Sequence, residues 1–145
     1  MAKVVFDSTV LVSAFLKKSG VAAVVVDQGK TGVFQLCISE QILSETKKIL
    51  TQRPHIRRKY SYTDQEVEEY IASLKIASEI VTDLPTVKAV RDEKDDPILA
   101  TAIKAQADYL VARDKDLLDM KVYGTIQMIS PEEFSNWLRT QQSQP

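Results

Sequence analysis

Val4-Val5-Phe6-Asp7-Ser8-Thr9-Val10-Leu11-Val12-Ser13-Ala14 puts three apolar residues, an acid and a second apolar stretch in immediate succession. The first three read as a short buried strand, and Thr9 to Leu16 reads as a helix. Asp7 therefore stands at a strand end, where the chain turns into a helix. In open parallel sheets, ligand and metal sites form outside the carboxyl ends of the strands.

The same alternation continues along the chain. Gly20 punctuates, a second apolar helix runs from about Val21 to Asp27, and Gln28 to Val33 turns the chain into a strand at Phe34 to Ile38. Ser39 is a good N-cap with Glu40 in the first turn, where a negative charge suits the helix dipole. Ile42, Leu43, Ile49 and Leu50 give that helix an apolar stripe, and Pro54 marks the region where it ends. Thr63-Asp64-Gln65-Glu66 is a capping-box pattern opening a helix with Val67, Ile71 and Leu74 on one face. Ser78 to Val90, broken by Pro85, is irregular with room for short extended pieces. Asp96-Pro97 reads as a cap followed by proline at the first helical position, with Asp95 an alternative cap. Ile98, Leu99, Ala102 and Ile103 form that helix's buried face. Tyr109 to Ala112 is a strand, a short helix carries Leu117 and Leu118, and Ile126 to Ile129 is another strand. Ser130-Pro131-Glu132-Glu133 then opens a last helix with Phe134, Trp137 and Leu138.

Strands alternating with helices predict parallel βαβ units. The expectation is an α/β three-layer sandwich around a central, mainly parallel sheet of about four or five strands. Residues 1–139 read as one domain, and residues 140–145 as a polar, frayed tail.

Composition permits many functions and excludes a few. The chain has 145 residues, 44% hydrophobic and 27% charged, with a formal net charge of −1. That suits one soluble domain, and any nucleic-acid contact must come from a local patch. Cys37 is the only cysteine, which rules out intramolecular disulfides and thiolate-rich zinc sites; within Phe34-Gln35-Leu36-Cys37-Ile38 it reads as a core residue. No apolar run reaches the roughly 20 residues that span a bilayer, and the N-terminus enters a strand without a signal-like segment. The expected location is the cytoplasm, with no membrane partner.

Four separated acids recur at sheet-edge positions: Asp7, Glu45, Asp96 and Asp114. Each alone has a plain structural role, as a helix cap or a solvated helix residue. Together, with no histidine or cysteine beside them, they suit a hard cation such as Mg²⁺ or Mn²⁺ and metal-assisted phosphodiester hydrolysis. Gly29-Lys30-Thr31 imitates the end of a phosphate-binding loop, but Val24 stands where the required glycine would be. His55, the sole histidine, sits beside Pro54 in a basic segment, so histidine-based catalysis has little support. That segment, with Arg53, Arg57, Arg58 and Lys59, reads either as a solvated loop or as a phosphate-gripping surface. Lys47 and Lys48, just past Glu45, extend the second reading, and Arg113 and Lys115 are fallback contacts.

The order of these motifs resembles the PIN-domain family of metal-dependent nucleases, especially the VapC-like toxins of prokaryotic toxin–antitoxin systems. The resemblance rests on Val4 to Ala14, on Ser39-Glu40-Gln41-Ile42-Leu43-Ser44-Glu45, on Asp95-Asp96-Pro97-Ile98-Leu99-Ala100-Thr101-Ala102, and on Ala107 to Leu117. It implies a PIN-like fold and a Mg²⁺- or Mn²⁺-dependent endoribonuclease, with Asp7, Glu45, Asp96 and Asp114 as metal-binding acids and Asp116 a candidate fifth. It also implies an RNA substrate, a cognate antitoxin and a candidate homodimer. Two positions depart from the pattern. Thr9 stands where the family usually has asparagine, and Ala112 where it commonly has threonine; both would orient substrate or support the metal ligands. The alternatives are a catalytically weak PIN-like module that binds RNA or protein, and a receiver-type or phosphoryl-transfer α/β domain.

Overall fold

The computed structural model describes residues 1–87 and 96–142. Its elements run β1 (Lys3–Phe6), α1 (Ser8–Leu16), α2 (Val21–Lys30), β2 (Gln35–Ser39), α3 (Glu40–Gln52), α4 (Pro54–Lys59), α5 (Asp64–Ala77) and β3 (Glu79–Val81). After the undescribed stretch come α6 (Asp96–Ala105), β4 (Tyr109–Val111), α7 (Lys115–Met120), β5 (Val122–Tyr123), β6 (Ile126–Ile129) and α8 (Pro131–Gln142). Val90 and Asp95, named above in the irregular segment and as an alternative cap, lie outside the described residues, as do residues 143–145.

The sheet is α/β and mostly parallel, as expected, with six strands in the order β3-β2-β1-β4-β6-β5. Only β5 runs antiparallel, pairing Val122 with Gln127 and Tyr123 with Ile126. Its two exposed residues carry no burial pattern that a sequence reading could detect, which is why four or five strands were expected. The order places β1 at the centre, with β2 on one side and β4 on the other. Right-handed crossovers leaving β1's neighbourhood in opposite directions put their helices on opposite faces, so α2 and α6 sandwich the sheet. That makes three layers.

The central strands are buried on both faces: Val4 and Val5 are 0% exposed and Phe6 is 1%. On the α2 side, Phe6, Phe34 and Phe134 meet edge-to-face with ring centroids 5.1–6.3 Å apart, and α8 packs on α2. Gly29 permits this closeness, because a Cβ there would sit 2.9 Å from Cε2 and Cζ of Phe34. Cys37 is a core residue, as expected, and burial pushes its thiol up to about 12, far from any nucleophilic role at neutral pH.

Local signals worked where they were complete. Thr63 forms a full capping box with Glu66, and Ser130 Oγ accepts from the backbone N–H of Glu133 at 3.1 Å. Pro54 has two roles. It follows the end of α3 and occupies the first position of α4, so the basic segment is a short helix and not a loop. No single helix among the described residues is both long and apolar enough to cross a membrane.

Candidate functional site

The carboxyl edge of the sheet gathers helix starts. Asp7 leaves β1 and caps α1, Ser39 ends β2 and caps α3, and Asp114 follows β4 and caps α7. Since α6 leads into the start of β4, its own first turn, with Asp96 and Pro97, lies at the same edge. Ser39 Oγ and Thr101 Oγ1, 2.8 Å apart, fasten α6 beside the α3 cap. Strand order reverses between β1 and β4, which is where open α/β sheets leave a crevice.

Asp7 is 1% exposed, and both carboxylate oxygens accept backbone hydrogen bonds: Oδ1 from Val10 at 2.7 Å and Oδ2 from Arg113 at 3.2 Å. Burial nonetheless raises its pKa to about 6, with the charge of Asp114 adding to the rise. Asp114 is held too, its Oδ1 accepting from the amides of Asp116 at 2.8 Å and Leu117 at 3.4 Å. Asp116 thus serves the site through its backbone.

Glu45 borders a cavity of about 210 Å³ together with Ser8, Gln41, Ile42, Pro97 and Ile98. Its neighbours there adjoin Asp7 and Asp96 in sequence. Asp96 and Gln41 border a second cavity of about 470 Å³ with Leu84 to Val87. The structure therefore brings Asp7 and Asp114 together, sets Glu45 against the residues beside Asp7 and Asp96, and leaves Asp96 at the adjoining mouth. Among the described residues, no three acidic, histidine or cysteine side chains cluster closely enough to hold one metal ion.

Among the described residues, three buried side-chain polar atoms find no hydrogen-bond partner: Asp96 Oδ1 and Ser8 Oγ at this edge, and Gln28 Oε1 on α2. A buried polar atom without a hydrogen bond costs on the order of 1–3 kcal/mol, so the two at this edge are positions that a water or a polar ligand there would satisfy. With oxygen-only donors and an acidic pair that has no ion-pair partner among the described residues, the edge fits a hard cation by its chemistry. Ser8 was not singled out from sequence; its only signal was adjacency to Asp7.

The basic residues are differently placed. Arg57 is committed inside the protein: Nε donates to Leu50 O at 3.2 Å, Nη1 to Tyr62 O at 3.0 Å, and Nη2 pairs with Asp64. Lys47 pairs with Glu68, linking α3 to α5. Arg58 and Lys48 are exposed and unpaired among the described residues. Lys59 lies 5.6 Å from the Tyr60 ring centre. Arg113 turns its guanidinium to Glu132 in a two-point contact at 3.1 and 2.8 Å, and Lys115 is exposed.

Acids at strand ends, capped helices and a mostly parallel six-stranded sheet are matched by a family model. The PIN domain model covers residues 3–116, from the first residue of β1 into α7. The chain belongs to the PIN domain family. No curated protein matches it significantly. PIN domains are of the nuclease type and typically bind divalent metals, and all four candidate acids of this PIN domain fall within the matched span.

Proposed function

We propose that this PIN domain is a Mg²⁺- or Mn²⁺-dependent endoribonuclease, the toxin of a toxin–antitoxin pair acting in the cytoplasm. The observation that carries the reading is the closeness of Asp7 and Asp114 across the β1/β4 crevice, neither of them ion-paired among the described residues. Asp7, Glu45, Asp96 and Asp114 would hold the ion, with Asp116 a candidate fifth ligand. When bound, such an ion supplies Lewis-acid polarisation of the phosphoryl oxygen and eases proton loss from the attacking water.

The chain's own groups do the positioning. Backbone amides of Val10, Arg113, Asp116 and Leu117 fix the Asp7 and Asp114 carboxylates before any substrate arrives. Ile42, Pro97 and Ile98 reduce water access beside Glu45. Asp7, with a pKa near 6, holds a proton more readily than a solvated carboxylate, so positive charge placed nearby would favour its ionised form. Within this reading the partners are RNA, an antitoxin protein and a second copy of the chain.

A second reading, a catalytically weak PIN module that binds RNA or protein, is favoured by Ala112. It is fully buried after β4 and offers no hydroxyl two residues before Asp114. Incubating the purified protein with total RNA, with and without Mn²⁺, beside Asp96→Asn separates the two. Mn²⁺-dependent cleavage absent from the variant supports the nuclease; cleavage identical in both proteins, or in neither, removes it.

A further inference from the structure

A cavity of about 570 Å³ opens between the turn that ends α1 and the turn that joins α4 to α5. Its working residues are Phe15, Lys17 and Lys18 from the first turn, and Tyr60, Tyr62 and Glu66 from the second. Helix α1 has nine residues, so the cavity stands about 14 Å along its axis from Asp7. It is a separate place from the acidic edge.

The floor is rigid. Phe15 and Tyr62 meet edge-to-face with centroids 5.1 Å apart, and the Tyr62 hydroxyl donates to Leu50 O at 2.6 Å. Arg57 covers one face of the Tyr62 ring at 4.6 Å. Tyr60 differs: half-buried, it has no aromatic partner among the described residues, and its only ring contact is the Lys59 ammonium.

Cations outnumber acids on the wall of this cavity, although Lys18 also borders an adjoining cavity with Asp27 and Glu69. Lys17 and Lys18 are exposed and form no ion pair among the described residues. Lys59 adds a third cation. Against them stands Glu66, whose carboxylate already accepts from the N–H and hydroxyl of Thr63 in the α5 capping box. Asp64, the next nearest acid in sequence, is paired with Arg57.

Ammonium groups around an open aromatic face match one ligand chemistry. Unpaired nucleotides offer phosphates to the lysines and a base face to the ring, and each base stacked on an aromatic side chain contributes appreciably to affinity. A duplex keeps its bases stacked within itself and cannot use the ring. An acidic peptide would satisfy the lysines but leave the ring's face unused. We propose that this cavity binds an unpaired nucleotide of a single-stranded RNA, with Tyr60 as the stacking platform and Lys17 and Lys18 on the flanking phosphates. The choice of RNA as the polymer rests on the nuclease reading; the site's geometry does not.

The test is binding of fluorescein-labelled oligoadenylate 12-mers to the full chain in Ca²⁺ buffer, read by anisotropy across a salt series. Lys17→Ala/Lys18→Ala should weaken binding at least tenfold and reduce the salt slope by about 0.7 per lysine removed. Tyr60→Ala should weaken it fivefold or more with the slope unchanged, Tyr60→Phe should bind as wild type, and binding of a duplex 12-mer should not respond to Tyr60→Ala. Lys75→Ala/Lys104→Ala is the charge-matched control, and melting temperatures check folding. The proposal is overturned if the double lysine variant binds no worse than that control, if Tyr60→Ala binds like wild type, or if an oligoglutamate peptide displaces the 12-mer as well as unlabelled oligoadenylate does. If the binding losses appear but no RNA is hydrolysed in Mn²⁺, the nucleotide site stands and the nuclease reading falls. Hydrolysis together with unchanged binding means the reverse.

Discussion

Oδ2 of Asp7 accepts a hydrogen bond from the backbone N–H of Arg113 at 3.2 Å, across 106 positions of sequence. The bond joins the turn after β1 to the turn after β4 and holds two acids side by side, neither of them ion-paired among the described residues.

That arrangement has a pH signature. Burial raises Asp7 from 3.8 to about 6 in the folded protein, so the folded state binds the proton more tightly than the unfolded chain does. Its contribution to stability is fully present below about pH 4 and is lost as pH rises through 6. Asp7→Asn, neutral at every pH and still able to cap α1, should be more stable than wild type at pH 7.5 in EDTA. Two pKa units correspond to about 3 kcal/mol, an upper bound here. Urea melts at pH 3.5 and 7.5 measure the difference, which should vanish at the lower pH; a gap of equal size at both would remove burial of the charge as its cause.

Divalent metal should reverse that ordering. At a hundredfold excess over its dissociation constant, a bound ion stabilises by about 2.7 kcal/mol. Mn²⁺ should raise the melting temperature of wild type more than that of Asp7→Asn or Asp96→Asn, since each variant lacks a proposed ligand. Equal shifts in all three proteins would show that the ion binds elsewhere.

Arg57 should matter for stability ahead of RNA binding. Arg57→Ala removes donors to two backbone carbonyls and the cover over Tyr62, at a cost of about 1–3 kcal/mol. Arg58→Ala, on an exposed side chain, should change stability by less than about 0.5 kcal/mol. Chemical denaturation of both variants checks the contrast, and equal losses would contradict it.

Gly29→Ala opposes two effects of known size. Replacing a helical glycine gains up to about 1 kcal/mol in helix propensity, while overpacking costs about 1–3 kcal/mol. With the new Cβ at 2.9 Å from the Phe34 ring, overpacking should win. Phe34→Leu should cost less in the alanine background than alone. A stabilised Gly29→Ala protein would mean that the ring moves aside freely.

What was legible in the sequence was local. Asp7, Ser39, Thr63, Asp114 and Ser130 each announce a helix start by side-chain chemistry within three residues, and the apolar runs between them mark the central strands. Their alternation also places Asp7, Asp96 and Asp114 at helix starts along one sheet edge, with Glu45 inside α3. Strand β5 escaped because two exposed residues have no period. Pro54 marks the end of α3, as expected, and α4 escaped because a proline that follows one helix is equally suited to begin the next. The engagement of Arg57 by Tyr62 and Asp64, and the meeting of Lys17 and Lys18 with Tyr60, depend on how α1, α4 and α5 pack, which no local pattern encodes.

Asp7 and Asp114 are helix caps as well as candidate acids, and this narrows the routes by which descendants of this chain could lose hydrolysis yet keep the fold. Alanine at either position leaves first-turn amides bare, at about 1 kcal/mol each. Glutamate keeps the charge but lengthens the reach, so its oxygens overshoot the amides that aspartate meets. Asparagine, serine and threonine keep a cap while discarding the anion, and asparagine is nearest to aspartate in shape. A silenced lineage of this protein should therefore carry asparagine, serine or threonine at these two sites more often than alanine or glutamate.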